Sequence, residues 1–199
     1  ILDQEIFIKR KSLSFIYFCA HNNTKMRIYL IGYMGSGKSS IGKKLASRMG
    51  YAFLDLDTQI EEEHNQSVSD IFADKGEQAF RELERKALHQ TIGTDQVVVS
   101  TGGGTPVYFD NMKWMNTHGL CVYLKAGHDV LSNRLKHNQQ LRPLIASLNE
   151  EELMEFIVDQ LEQRSPYYEQ ANLHLEAKDL TPAVLEHQIR DWLDNHSKV

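Results

Sequence analysis

Gly32-Tyr33-Met34-Gly35-Ser36-Gly37-Lys38-Ser39 satisfies the pattern GxxxxGK[ST], and its surroundings decide the fold. The β-prone residues Ile28, Tyr29, Leu30 and Ile31 precede it, and Ile41, Leu45 and Met49 follow at helical spacing, which predicts a strand over 27–32 and a helix over 39–49. Strand, glycine-rich turn and helix in that order make a cradle in which backbone N–H groups and a helix N-terminus surround phosphates. Gly35, Ser36, Gly37, Lys38, Ser39 and Ser40 are therefore the candidate nucleotide-binding residues, with Lys38 supplying a cation and Ser39 a hydroxyl for Mg2+. The plainer alternative is a glycine-rich helix start with a surface lysine. The strand-loop-helix context favours binding of a nucleoside triphosphate.

Outward from this loop, strand and helix patterns alternate. Residues 52–56 read as a second strand ending in acidic residues. Helical patterns follow from Thr58, and Ser67 and Asp70 mark another helix start. Gly76 breaks that helix, and 77–92 reads as a long amphipathic one. Residues 96–101, with Val97, Val98 and Val99, form an all-apolar run typical of a buried parallel strand, ended by three glycines. A short helix over 110–118, a strand over 120–124 and a helix over 129–136 come next. Asn149 and Glu152 cap a helix from Glu150 to about Arg164. Residues 173–176 read as a last strand, and Thr181-Pro182 opens a final helix to about Asn195. Five strands alternating with helices predict a three-layer α/β/α domain with a parallel sheet covered on both faces.

Composition agrees with one such domain. The chain has 199 residues, 41% hydrophobic and 25% charged, with 12 Gly and 4 Pro, which excludes collagen-like, low-complexity and disordered classes. A formal charge of -5 argues against a dedicated nucleic-acid binder. The two cysteines, Cys19 and Cys121, are far apart and belong to no CxxC or Cys/His spacing, so neither a disulfide framework nor a zinc site is expected, and a reducing cytoplasm fits. No apolar run approaches the roughly 20 residues of a membrane span, so no membrane partner is expected. Nine histidines show no ligand spacing.

Residues 1–25 stand apart. Lys9, Arg10, Lys11 and Lys25 against Asp3 and Glu5 give them a charge of +2. A basic triplet before the apolar stretch 13–20 resembles a signal peptide, but the stretch is short and acidic residues precede it. The preferred reading is a poorly ordered extension, with Met26 as the natural start and 26–199 as the domain.

Asp55 and Asp57 stand two apart at the end of the second strand, so both side chains are expected to project to one face at the carboxyl edge of the sheet, where open α/β sheets bind ligands. One can serve a metal and the other an acceptor hydroxyl. An Asp-x-Asp alone is more often a turn or cap signal, and the phosphate loop on the neighbouring strand reverses that preference. Gly102-Gly103-Gly104 lets a ligand approach backbone N–H groups, or is a plain turn. Arg81, with Glu84 three residues on, reads by itself as a helix-surface ion pair. Arg142 in a polar segment and Arg164 at a helix end read singly as surface charges.

The order of the motifs changes these readings. GYMGSGKSSIGKKLA (32–46), FLDLD (53–57), IFADKGEQAFRELE (71–84), STGGGT (100–105), LRPL (141–144) and RSPYY (164–168) together resemble the shikimate kinases, small P-loop kinases of aromatic amino-acid biosynthesis. The resemblance covers residues 26–199 and leaves 1–25 without a counterpart. It implies transfer of the γ-phosphoryl group of ATP to the 3-hydroxyl of shikimate, and a nucleoside monophosphate kinase-like P-loop fold with a five-stranded parallel sheet, a substrate-binding subdomain and a lid over about 136–149. On that pattern Asp57 holds the acceptor hydroxyls and takes the proton. Ser39 and Asp55 organise Mg2+, Asp55 through water, with Ser100 supporting the metal's water shell. Arg81 and Arg164 grip the substrate carboxylate, and Gly103 and Gly104 add backbone contacts. Arg142 closes over the phosphates beside Lys38, and Arg134 and Pro182 flank the adenine. His137-Asn138-Gln139-Gln140 makes this lid less basic than many in the family.

Two other readings are weighed. Another small-molecule P-loop kinase, acting on gluconate or a nucleotide, is disfavoured by Phe80-Arg81 and the triple glycine. A nucleotide-binding regulator without turnover is disfavoured by the intact set Lys38, Asp55, Asp57, Arg81, Arg142 and Arg164. A monomer is the expected state.

Overall fold

A computed structural model describes residues 26–137 and 145–196. Residues 1–25, expected as an extension, residues 138–144, which fall in the expected lid and include Arg142, and residues 197–199 lie outside the described residues. Strands β1 (Arg27–Ile31), β2 (Ala52–Asp55), β3 (Val97–Ser100), β4 (Leu120–Lys125) and β5 (Leu173–Glu176) form one sheet in the order β2-β3-β1-β4-β5. Every pairing is parallel. The helices are α1 (Lys38–Met49), α2 (Leu56–His64), α3 (Val68–Gln90), α4 (Asn111–His118), α5 (His128–Lys136), α6 (Glu150–Tyr168) and α7 (Pro182–His196). Among the described residues, no helix is long and apolar enough to cross a membrane.

The three inner strands are the three continuous apolar runs. β1 and β3 are buried throughout and β4 is buried except at Lys125, whereas β5 alternates half-buried and exposed residues as an edge strand does. β1 pairs with β3 on one side and β4 on the other. The chain therefore leaves β1 at the point where strand order reverses, which is where parallel sheets open a crevice at their carboxyl ends. The loop 32–37 occupies that point.

Local signals placed the helix starts closely. Asn149 and Glu152 form a reciprocal capping box at α6, and Ser67 Oγ accepts from the Asp70 N–H at 3.1 Å at α3. Gly76 has φ 78° and ψ 172°, a non-helical break between the two halves of α3.

Two expectations are corrected. β2 ends at Asp55, and α2 already begins at Leu56, so Asp57 sits in the first turn of a helix and not at the end of a strand. Leu56, fully buried, draws the backbone into the helix two residues before Thr58. α6 also continues past Arg164 to Tyr168 despite Pro166, because Tyr168 is fully buried and its hydroxyl donates to the Gly103 carbonyl at 2.5 Å.

Candidate active site

The phosphate loop is shaped by its own backbone. Gly37 precedes α1 with φ 98°, a left-handed conformation that costs a side chain dearly, and it turns the first helical N–H groups toward the loop's hollow. Lys38, nearly buried, donates through Nζ to the carbonyls of Gly32 at 2.8 Å and Tyr33 at 3.0 Å, which fixes its charge at the mouth of the loop. Ser36 Oγ is buried and has no hydrogen-bond partner among the described residues, an orphan hydroxyl that a phosphate oxygen can satisfy.

A cavity of about 400 Å3 opens in front of this loop and brings together Lys38, Ser39, Asp55, Asp57, Ser100 and Gly103. Ser39 Oγ donates to Asp55 Oδ2 at 2.6 Å and lies 3.1 Å from Ser100 Oγ. These are hard oxygen donors, one carboxylate and two hydroxyls, from the carboxyl ends of β2 and β3 and the start of α1. Mg2+ takes such a set when phosphate and water complete its shell. Among the described residues there is no group of three His, Cys, Asp or Glu that would form an all-protein cage.

Asp57 reaches the same cavity from the first turn of α2. Burial raises its pKa from 3.8 to about 7; the Glu84 and Asp55 carboxylates push the same way and Lys38 opposes them. A carboxylate poised near neutrality is suited to accept a proton at physiological pH.

Arg81 is 9% exposed and not the surface residue its spacing suggested. Its Nη1 donates to Glu84 Oε2 at 2.9 Å, and Nη2 and Nε donate to Glu77 Oε1 at 3.0 and 3.3 Å. Glu84, 1% exposed, also accepts from the Thr105 hydroxyl at 2.5 Å. The glycine turn fits against this network: a Cβ on Gly104 would lie 2.5 Å from Arg81 Nη1 and 2.8 Å from Cζ. On the turn's other flank, a Cβ on Gly103 would lie 3.5 Å from Arg164 Nη1. Arg164 itself donates to Gln160 Oε1 at 2.5 Å, and its Cζ lies 5.5 Å from the centre of the Tyr33 ring. Arg81 and Arg164 thus flank the glycine turn, whose Gly103 lines the cavity.

A second cavity of about 320 Å3 adjoins the loop and is lined by Ser36, Ser40, Leu124, Arg134, Ala177 and Pro182, among others. Arg134 spans it, donating through Nη1 to the Gly35 and Ser36 carbonyls at 3.2 Å and through Nη2 to the Ala177 carbonyl at 3.1 Å.

The sequence pairs Arg81 with Glu84 but gives no sign that the pair is buried, and it does not single out Glu77 or Tyr108. Glu77 and Glu84 bracket Arg81 at i−4 and i+3, a spacing visible in the sequence but indistinguishable there from a solvated ion-pair ladder. Tyr108 comes over Arg81 from a loop 27 residues away, and nothing local signals it.

A family model for shikimate kinase matches residues 34–194. The chain is 49% identical over 154 residues to the shikimate kinase of Phocaeicola vulgatus, an overlap of 77% of this chain and 88% of that protein. Among solved structures, a shikimate kinase from Bacteroides thetaiotaomicron superposes with a TM-score of 0.76 at 42% identity, covering 85% of this chain and 95% of that one. A shikimate kinase from Acinetobacter baumannii in complex with shikimate superposes with a TM-score of 0.77 at 30% identity, covering 88% and 97%.

Proposed function

The chain belongs to the shikimate kinase family, and on that premise we propose that it moves the γ-phosphoryl group of ATP onto the 3-hydroxyl of shikimate, giving shikimate 3-phosphate and ADP. The observation that carries this reading is the convergence, on one cavity, of a phosphate loop, the Asp57 carboxylate and a glycine turn that two arginines flank. Phosphoryl transfer needs in-line placement and charge neutralisation more than covalent help from the protein. Lys38 and the α1 N-terminus hold the phosphates, and Ser36 offers them its unpartnered hydroxyl. Asp57 aligns the 3-hydroxyl and takes its proton. Arg81 and Arg164 hold the carboxylate, since a guanidinium fork matches a carboxylate where an ammonium would act only as a point charge. Gly103 and Gly104 admit the acceptor ring close to the backbone.

Ser39 and Asp55, with Ser100 in support, would hold Mg2+, which would supply neutralisation of phosphate charge when bound. The adenine would lie in the second cavity between Arg134 and Pro182. We place the enzyme as a monomer in the cytoplasm.

An assay of ADP release with shikimate, gluconate, AMP or no acceptor tests the proposal. Release that depends on shikimate alone is expected; equal release with gluconate or AMP, or none with any acceptor, would refute it. Arg81→Lys keeps a cation for buried Glu84 but loses the fork. The KM for shikimate is expected to rise roughly 10-fold to 100-fold, from loss of charge-assisted bonds of about 1.5–3 kcal/mol, with kcat nearly unchanged. An unaltered KM would remove Arg81 from the carboxylate site.

A further inference from the structure

Tyr108 belongs to none of the motifs above, yet it is the aromatic ring nearest the Arg81 guanidinium. Its ring centre lies 4.3 Å from Arg81 Cζ, against 5.3 Å for Phe80 and 5.6 Å for Phe72. Its hydroxyl donates to Glu77 Oε1 at 2.7 Å, the same oxygen that accepts from Arg81 Nη2 and Nε. One aromatic side chain therefore covers the guanidinium and also anchors the carboxylate that takes its side edge.

That anchor matters because, among the described residues, Glu77 is otherwise held by Arg81 itself. Its side chain is 55% exposed, and it follows Gly76, where the helix is broken. An exposed carboxylate on such a turn samples several rotamers unless something ties it down. The tie leads to the loop after β3, which also carries Gly103 and Gly104.

Glu77 takes two of the five guanidinium N–H groups, Glu84 takes one, and the Tyr108 hydroxyl also interacts with the guanidinium. A guanidinium held in place in advance recognises an anion at lower entropic cost than a freely rotating arginine.

We propose that Tyr108 is a positioning residue for recognition of the acceptor's carboxylate, holding Arg81 in place through its ring and through Glu77. This rests on the functional reading above, in which Arg81 meets the carboxylate of shikimate. Tyr108 touches no reacting atom, so its removal should appear in KM and not in kcat.

Steady-state kinetics of Tyr108→Leu and Tyr108→Phe test this. The leucine variant is expected to raise the KM for shikimate about 10-fold, and the phenylalanine variant, which keeps the ring and loses the hydroxyl, about 3-fold, by restoring the ordering cost of the arginine. In both, kcat and the KM for ATP stay at wild-type values. A shikimate analogue with a hydroxymethyl group in place of the carboxylate separates positioning from general loosening: its kcat/KM should be the same in wild type and Tyr108→Leu. Absence of shikimate-dependent ADP release in the wild type would overturn the functional reading, and this inference with it. Normal wild-type turnover with an unmoved KM in both variants, or an equal loss on the two acceptors, would overturn the role of Tyr108 alone.

Discussion

Asp57→Asn is expected to lower kcat with shikimate by about 100-fold to 10,000-fold, the range for loss of a general base, and at the same time to raise the melting temperature at pH 8. The first effect follows from position. Asp57 shares a cavity with Lys38 and the oxygen set around Ser39, and asparagine keeps its shape but cannot take a proton. The second follows from the cost of holding a carboxylate where burial and the Glu84 and Asp55 carboxylates all disfavour its charge. In the unfolded chain the group titrates near 3.8, and in the folded protein near 7. Its folded pKa is raised, so the stability linked to its proton is whole below pH 3.8 and is lost as pH rises through 7. At about 1.4 kcal/mol per pH unit, that span sets a ceiling of about 4 kcal/mol, of which local relaxation recovers part. The gain on substitution should therefore be several degrees at pH 8 and near zero at pH 4. Wild-type kcat/KM should fall as pH drops below about 7, the value to which Asp57 is raised, and the residual activity of the variant should lack that limb. Undiminished turnover, or a variant melting below wild type at pH 8, would remove Asp57 from the role of buried base.

What the sequence conveyed about this site is what local chemistry encodes. The phosphate loop, the capping box at Asn149 and the break at Gly76 each depend on a few adjacent residues, and each lies where the pattern put it. The three inner strands were legible because strands buried on both faces carry unbroken apolar runs. Asp57 shows how a correct grouping can rest on an incorrect local reason. Strand alternation pairs it with Asp55, but a helix begins between them, and it is the geometry of the first turn of α2 that brings both to one cavity.

Arg81 shows the opposite limit. Its spacing to Glu84 is equally that of a solvated surface pair, and only the packing of α3 under the loop after β3 decides that both are buried. The raised pKa of Asp57 belongs to the same class of fact, since it depends first on burial and then on the Glu84 carboxylate that α3 brings near α2. Tyr108 lay beyond reach for the same reason, because it approaches across a tertiary contact with no sequence period.

Lys38→Met is expected to reduce kcat/KM by about 100-fold to 1,000-fold, comparable to removing one preorganised charge-stabilising donor from an active site, and to move the acidic limb of the pH profile upward. Lys38 is held over the loop by the Gly32 and Tyr33 carbonyls, so its charge is in place before any phosphate arrives. Methionine fills similar space without donors, and both carbonyls lose a partner, which costs about 1–3 kcal/mol of stability. The shift in the pH profile has a separate cause. Among the described residues, Lys38 is the cation that favours the charged form of Asp57, against burial and the Glu84, Asp55 and Glu61 carboxylates. With it gone, Asp57 gives up its proton at a pH above the present value of about 7, and the residual activity should rise with pH across a range where the wild type is already level. Mg2+ titration at fixed pH distinguishes this from a metal defect, which extra Mg2+ would repair. A variant with lowered activity but an unmoved acidic limb would mean that Lys38 serves the nucleotide alone and that the phosphate and acceptor halves of the crevice titrate independently.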